Sequence, residues 1–119
     1  MDWSLDKGRP LCEQICEQLC MRIASGEFAA GERLLSVRDV AVAAGVNPNT
    51  VQRAFENLER QGVLYSVRGS GWFVSEDISA ARDALCVIYL EKMAAYFLQM
   101  RTLGMSDADI KKYVEEWNE

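Results

Sequence analysis

The fold is decided by residues 36–51, whose sequence is SVRDVAVAAGVNPNTV. Ser36, with an aspartate three positions later, matches a capping box, in which a hydroxyl and a carboxylate each bond an amide at a helix start. Gly45 ends the short helix, and Asn47 and Pro48 start another at once, as its N-cap and its first helical residue. Two helices joined by about three residues that include a glycine predict a helix-turn-helix.

The segments on either side of this motif complete one small domain. A helix over 10–25, begun by a proline and stopped by a glycine, precedes the motif, and the second helix of the motif runs over 48–61. A β-branched and aromatic run at 63–67, a turn at 68–71 and a second short strand at 72–74 then predict a hairpin. A hairpin directly after a helix-turn-helix is a wing, so the pattern predicts a winged helix.

The first helix has an apolar side and a polar side. A spacing of about 100° per residue puts Glu13, Gln14 and Glu17 on the polar side, which predicts that they face solvent. The apolar side carries Leu11, Cys12, Ile15, Cys16, Leu19 and Ile23. After this helix, the two glycines within 26–33 predict a surface turn.

Three of the four cysteines recur at every fourth position of the first helix, at Cys12, Cys16 and Cys20. Thiolates aligned in this way would suit a soft metal ion such as Cu(I) or Zn, so a thiol- or metal-responsive regulator is one alternative. Cys12 and Cys16 also fall on the apolar side, where cysteine packs as a small hydrophobic residue. We therefore favour packing by free thiols, and we expect Cys20 to be the most exposed of the three.

The C-terminal part of the chain predicts two further helices. Residues 79–103 show a long helical pattern with two adjacent apolar stripes, and a second capping box at Ser106 starts a short helix. The stripes provide more apolar surface than one small winged domain should cover, which predicts pairing with a second copy of the chain. We expect five side chains in the dimerisation surface: Tyr89, Met93, Tyr96, Phe97 and Met100.

These patterns give the expected organisation of the chain. The predicted fold class is mainly α with a small β-hairpin, a winged helix-turn-helix followed by a C-terminal α-helical dimerisation tail. We place the DNA-binding winged domain at 1–75 and the two-helix tail at 76–119. An alternative arrangement covers the apolar stripes within one chain, by folding back the side chains Ile110, Tyr113, Val114 and Trp117.

The composition narrows the function. The 119 residues include 13 basic and 18 acidic ones, a net charge of −5, yet basic residues outnumber acidic ones between 33 and 71. The chain contains no histidine, the usual general base and metal ligand, so we predict no enzyme, no catalytic residue and no metal or other cofactor. No apolar run approaches the roughly 20 residues that span a bilayer, and the N-terminus lacks a signal-peptide pattern. We expect a cytoplasmic protein that does not contact membranes.

The helix that begins at Pro48 has a polar face near its N-terminus, opposite Val51 and Phe55. Arginine can pair with guanine, asparagine or glutamine with adenine, and threonine can contact a phosphate or a thymine methyl group. The side chains of these types are Asn49, Thr50, Gln52 and Arg53. They predict a recognition helix that reads the major groove of double-stranded DNA.

Two other elements add arginines to this surface. Arg38 lies in the first turn of the preceding helix, from which it could contact a phosphate. Arg68 and Gly69 form the wing tip, and an arginine beside a small residue suits a narrow minor groove. The acidic net charge instead supports another alternative, a winged-helix module that binds protein. The salt dependence of binding distinguishes the DNA-binding interpretation from the protein-binding one, because DNA binding weakens steeply as the salt concentration rises.

Residues 10–74 resemble the DNA-binding domain of the GntR family of transcription regulators, and the tail resembles the short two-helix tail of its YtrA-like branch. The resemblance rests on Pro10-Leu11, Glu13-Gln14-Ile15, Ser25-Gly26, Gly31, Arg33-Leu34, Ser36-Val37-Arg38, the run 45–51, Ala54, Leu58, Gly62, Arg68-Gly69-Ser70-Gly71 and Phe73-Val74. Three positions depart from the usual family residues: Leu35 replaces proline, Cys12 replaces tyrosine and Trp72 replaces threonine.

The resemblance implies a sequence-specific transcription regulator, most often a repressor. It implies contacts with DNA at Arg38, Asn47, Asn49, Thr50, Arg53, Arg68 and Gly69. A two-fold homodimer would hold two recognition helices about one DNA turn apart, so we also expect a palindromic operator. The existence of a small-molecule effector stays open.

Overall fold

The computed structural model describes residues 3–118. The elements are α1 (Leu11–Ala24), α2 (Val37–Ala44), α3 (Pro48–Arg60), β1 (Leu64–Val67), β2 (Gly71–Val74), α4 (Ser79–Thr102) and α5 (Asp107–Glu116). This order confirms the predicted fold class, mainly α with one small hairpin. None of the described helices is both long enough and apolar enough to span a bilayer.

Local signals fix the ends of the two central helices. The Ser36 hydroxyl accepts a hydrogen bond from the amide of Asp39 at 3.1 Å, and Gly45 ends α2 in the left-handed region with φ of +70°. The side chain of Asn47 caps α3 by accepting a bond from the amide of Asn49 at 2.8 Å. A cap of this kind typically stabilises a helix by about 1 kcal/mol. The three residues between α2 and α3 therefore form the predicted turn.

The core of the winged helix lies between α1 and the central helices. α3 packs against both α1 and α2, because its apolar side chains recur at helical spacing. The largest side chains that are completely or almost completely buried are Ile15, Leu19, Ile23, Phe55, Leu58 and Leu64. Each stabilises the fold by roughly 1.5–3 kcal/mol relative to an exposed position. Trp72, from the hairpin, meets Phe55 edge-to-face at 5.4 Å and joins the wing to this core.

The segment after α1 differs from the predicted surface turn. The amide of Gly31 donates to the carbonyl of Val74 at 2.9 Å, and the amide of Val74 donates to the carbonyl of Glu32 at 2.9 Å. The amide of Leu34 donates to the carbonyl of Trp72 at the same distance. The segment thus lines the outer edge of β2, whose amides and carbonyls would otherwise lack partners. The prediction of a simple turn over 26–33 was wrong for its second half.

Gln14 was expected in solvent and is instead 5% exposed. Its side-chain carbonyl accepts a bond from the amide of Asp6 at 2.8 Å, and its amide group donates to the carbonyls of Asp6 and Arg9 at 2.6 and 3.1 Å. A buried amide is tolerated when its donors and acceptor are paired. Gln14 therefore ties the segment before α1 to that helix. The same segment also places Trp3 in the core, with the Arg22 guanidinium 4.8 Å from its ring centre.

The chain divides into two compact units, the first ending at Leu85 and the second starting at Cys86. The first turns of α4 belong to the first unit, because Ala81, Ala84 and Leu85 are buried with its core. The predicted boundary between residues 75 and 76 lies at the end of the wing, whereas the two compact units divide inside α4. The domain assignment of 1–75 and 76–119 stays a prediction.

The second unit contains the rest of α4 and α5. Gly104, with φ of +86°, ends α4, and Ser106 starts α5 with the full capping box that its sequence predicts. The Arg101 guanidinium pairs with the Asp107 carboxylate at 2.8 and 3.2 Å across this turn. Ile110 is the one buried large apolar side chain among the described residues of this unit.

Candidate nucleic-acid interface

The recognition helix, α3, separates a packed face from a polar one. Val51 and Phe55 are completely buried, and they hold the helix against the core. Asn49 and Arg53 are exposed, whereas Thr50 and Gln52 are half-buried at the edges of the polar face. The four base-reading side chains predicted on α3 therefore share its solvent side.

Hydrogen bonds determine what two of the polar residues can offer to DNA. The side-chain carbonyl of Asn47 is already used to cap α3, so its amide group is left to donate to an acceptor such as a phosphate oxygen. The amide group of Gln52 donates to the Glu56 carboxylate at 2.9 Å. This bond orients Gln52 and uses one of the two N–H donors of its amide group, so the second N–H and the side-chain carbonyl are left for a base.

The wing tip has the backbone that its glycines require. The amide of Ser70 donates to the carbonyl of Val67 at 2.9 Å and closes the turn. Gly69 and Gly71 have φ of +81° and +112°, a region that other residues rarely adopt. Arg68 is consequently held, exposed, at the tip of the hairpin.

The arginines of the predicted interface lack the carboxylate partners that most other arginines have. Among the described residues, ion pairs join Arg9 to Glu17 at 3.2 Å, Arg22 to Glu27 at 3.2 Å, Arg82 to Asp83 at 4.0 Å and Arg101 to Asp107 at 2.8 Å, whereas Arg60 bonds the side-chain amide of Asn57. Within residues 3–118, no carboxylate pairs with Arg38, Arg53 or Arg68, all of which are exposed. The interface therefore presents uncompensated positive charge on an acidic chain, as binding to a polyanion requires.

The structure adds one arginine that sequence reasoning did not include among the site residues. Arg33 pairs with Phe73 through the backbone at the edge of the hairpin, and its side chain lies beside Gly71. The sequence placed Arg33 in the local positive charge and in the family resemblance but not in the interface, since Gly71, its neighbour on the wing, is 38 positions further along the chain.

The cysteines of α1 pack rather than form an open thiol site. The Cys16 thiol donates to the carbonyl of Ala54 at 3.5 Å, and Asn57 donates to the Cys12 sulfur at 3.6 Å. Burial, with smaller contributions from Cys12 and Cys20, raises the pKa of Cys16 from 9.0 to about 12, and burial raises the pKa of Cys20 to about 11. These thiols therefore stay protonated at neutral pH, which disfavours metal binding.

Two further observations concern the same cysteines. The expectation that Cys20 is the most exposed of the three was wrong, because Cys20 is completely buried and Cys12 is the half-buried one. The core extends further around α1 than its apolar pattern predicted, since the segment before the helix contributes Trp3 to the same cluster. No group of three or more potential metal ligands occurs in the part of the chain that the structure describes.

The five predicted dimerisation residues fall into two groups on α4. Tyr89, Met93 and Tyr96 are exposed, and Met100 is half-buried close by along the same stripe. Phe97 instead lines a groove of about 470 Å³ with residues of α5 that include Ile110 and Val114. The alternative in which α5 covers the stripes therefore applies around Phe97, while Tyr89, Met93 and Tyr96 stay exposed.

The sequence of this chain is similar to those of known bacterial regulatory proteins. Residues 11–74 match the family model described as bacterial regulatory proteins, gntR family. The transcriptional repressor YtrA of Bacillus subtilis is 40% identical over 108 residues, which cover 90% of this chain and 83% of YtrA.

Solved structures show the same fold. A GntR family transcriptional regulator from Listeria monocytogenes has a TM-score of 0.76 at 32% identity. The match covers 96% of this chain and 100% of the Listeria protein. The DNA-binding domain of AraR in complex with operator ORR3 has a TM-score of 0.53 at 30% identity. That match covers 54% of this chain and 77% of the AraR domain.

Proposed function

The chain belongs to the gntR family of bacterial regulatory proteins and is a DNA-binding transcription regulator rather than an enzyme, and we propose that it represses transcription as a homodimer bound to a palindromic operator. The proposal starts from the one observation that three separate elements, α2, α3 and the hairpin, each present an exposed arginine without a carboxylate partner.

We assign the base-reading role to α3. Arg53 would bond the two acceptor atoms of a guanine, and Asn49 would bond an adenine in the major groove. Thr50 would contact a phosphate or a thymine methyl group at the edge of this face, and Gln52 would read an adenine with its carbonyl and the N–H that does not bond Glu56. These contacts would give the protein its choice of sequence.

The remaining interface residues would position the protein on the duplex. Arg38 would contact a phosphate from the start of α2, and the amide group of Asn47 would donate to a phosphate near the start of α3. Arg68, with Gly69 beside it, would enter the minor groove, which attracts arginine where it is narrow. Phosphate contacts of this kind fix register and orientation and carry little sequence information.

The apolar surface of α4 supports the homodimer. Tyr96 and Leu98 lie on roughly opposite sides of α4, about 200° apart around the helix. Their side chains are 63% and 60% exposed. α5 packs near Phe97, between these two directions, and leaves the stripe with Tyr89, Met93 and Tyr96 open. An exposed apolar stripe of this length typically marks an interaction surface. We assign it to a second copy of the chain, because a two-fold dimer would pair the stripe with itself.

Repression is proposed from the relatives. YtrA and NagR of Bacillus subtilis are both named transcriptional repressors, and YtrA aligns along most of this chain. A dimer that occupies its operator would prevent other proteins from using the same DNA. We assign no small-molecule effector and no thiol-based response.

The test is to select binding sites from a library of random duplexes with the full-length protein. We expect an inverted repeat whose half-sites lie about 10 base pairs, or a multiple of that, from centre to centre. A duplex with one half-site, or with about five base pairs inserted between half-sites, should lose most of the affinity, because the two helices then cannot both enter the major groove.

Three outcomes would count against the proposal. Selection of a single half-site bound by one chain would contradict the homodimer. Binding that does not weaken steeply with salt would support the protein-binding alternative instead. A reporter gene behind the selected site that is transcribed faster when the protein is present would contradict repression.

A further inference from the structure

Arg33 is held on the wing by its backbone. It forms an antiparallel bridge with Phe73, and the flanking bonds from Leu34 to Trp72 and from Val74 to Glu32 are both 2.9 Å long. These bonds involve main-chain atoms only, so they do not depend on the arginine side chain. The side chain is exposed and is not part of the buried core.

The side chain of Arg33 points along the hairpin toward its turn. A Cβ atom on Gly71 would lie 3.5 Å from the Arg33 Nε and 3.7 Å from its Nη2. Gly71 pairs with Val67, the residue just before Arg68, so the Arg33 guanidinium lies at the end of the hairpin where the turn carries Arg68. Arg33 is attached at the edge of the wing, whereas Arg68 is part of its tip.

The charge of Arg33 is also uncompensated. No carboxylate among the described residues forms an ion pair with it, whereas Arg9, Arg22, Arg82 and Arg101 all have acidic neighbours. Two like charges at one end of a hairpin repel each other, and a polyanion relieves this repulsion. Because Arg60 also lacks an ion pair, it is the position of Arg33 on the wing, together with its free charge, that groups it with the three predicted interface arginines.

We propose that Arg33 is a further DNA-binding residue, which contacts a backbone phosphate beside the groove that the wing tip enters. The inference rests on the DNA-binding function assigned above. A phosphate rather than a base is the expected partner, because Arg33 lies at the hairpin edge and not at the tip. Its contribution should consequently be the same on every DNA sequence.

The experiment measures how the dissociation constant for a mixed-sequence duplex depends on salt, which needs no knowledge of the operator. Full-length wild type is compared with Arg33→Ala, Arg33→Lys and the control Arg82→Ala, an exposed arginine on α4 that pairs with Asp83. Loss of one phosphate contact lowers the slope of log K against log salt by about 0.9. The affinity deficit of Arg33→Ala should accordingly shrink by about 3.5-fold between 50 and 200 mM salt.

The outcomes separate this inference from the proposed function. Support requires a lowered slope for Arg33→Ala, a wild-type slope for Arg33→Lys and Arg82→Ala, and unchanged thermal unfolding of all variants. Equal slopes for wild type and Arg33→Ala would overturn the inference while leaving the function intact. A slope that Arg33→Lys fails to restore would also overturn it, because a phosphate contact tolerates lysine. Wild-type protein that shows no salt-dependent binding would refute the DNA-binding function itself.

Discussion

The two units of the chain treat their large apolar side chains in opposite ways. In the first unit, Phe55 and Ile15 are completely buried, and α1, α3 and the wing share one core. In the second unit Ile110 is buried, but Tyr96, Leu98 and Trp117 are each 60% exposed or more. The first unit buries most of its large apolar side chains, although Val42 is 79% exposed, whereas the second leaves most of its own exposed and suited to contact another surface.

The charges show a second contrast, which lies within the first unit. Arg9, Arg22 and Arg82 pair with carboxylates there, whereas Arg53 and Arg68 have no carboxylate partner among the described residues. Each of these surfaces therefore exposes groups that its expected partner would complement. Unpaired arginines suit DNA, and an uncovered apolar stripe suits a second copy of the chain.

The largest expected effect is on stability and would show that only the first unit has a complete core. Phe55→Ala removes a fully buried ring that contacts Trp72 and should lower the free energy of unfolding by about 3–5 kcal/mol. Leu90→Ala, at a position on α4 that is 63% exposed, should change it by about 0.5 kcal/mol or less. Urea unfolding at one fixed protein concentration measures both. Equal losses for the two variants would contradict the contrast.

The next effect is on DNA affinity and tests the reading face directly. Arg53→Ala should weaken binding to the selected operator by about 1–3 kcal/mol and relax the choice at one base pair, because a bidentate contact with guanine is lost. Arg60→Ala is the matched control, since Arg60 lies at the far end of α3 and already bonds Asn57. Titrations against operator variants measure the change. An equal loss on operator and mixed-sequence duplexes would make Arg53 a phosphate contact.

A smaller effect concerns pH and the buried thiols. Burial raises the pKa of Cys16 to about 12 from 9.0, so the folded protein holds this proton more tightly than the unfolded chain does. The associated stability is complete below about pH 9 and is lost as the pH rises toward 12, by up to about 1.4 kcal/mol per pH unit. Unfolding free energies measured between pH 8 and 11 should fall less steeply for Cys16→Ala. Parallel pH profiles would show that Cys16 does not titrate differently in the two states.

The smallest expected effects come from the two serine caps, one in each unit. Ser36→Ala and Ser106→Ala each remove a bond of 3.1 Å to an amide and should cost about 1 kcal/mol. The first loss should reduce the protection of the whole winged helix against hydrogen exchange, since α2 packs into its core. The second should reduce protection in α5 alone. Exchange that spreads through the first unit in Ser106→Ala would indicate that the two units unfold together.

Most of the fold followed from signals that act within a few residues. Caps, prolines and glycines set the helix ends, and the observed bounds of α1, α3 and α4 lie within one residue of those predicted. The wing was also predicted from local signals, because its turn contains glycines, and these adopt positive φ in the structure. The capping box at Ser106 was found complete, whereas the structure gives Ser36 only the bond from Asp39.

The parts that sequence did not predict depend on residues far apart in the chain. The segment at 31–34 pairs with β2 about 40 positions later, and no local periodicity marks such an edge. Gln14 is buried because backbone groups of Asp6 and Arg9 happen to satisfy it, although its residue type favours solvent. Arg33 was missed as a site residue for the same reason, since only the fold brings it beside Gly71.

The central claim, that the open stripe of α4 forms the dimer, is tested most directly by sedimentation velocity on two charge substitutions in full-length protein. Tyr96→Glu places a carboxylate in the stripe, and Leu98→Glu places one on the opposite side of the same helix at nearly equal exposure. Circular dichroism and thermal unfolding would establish that both variants are folded. We expect wild type and Leu98→Glu to sediment as two chains at micromolar concentration, and Tyr96→Glu to sediment as one. A monomeric wild type, or a Tyr96→Glu variant that stays dimeric, would contradict this claim.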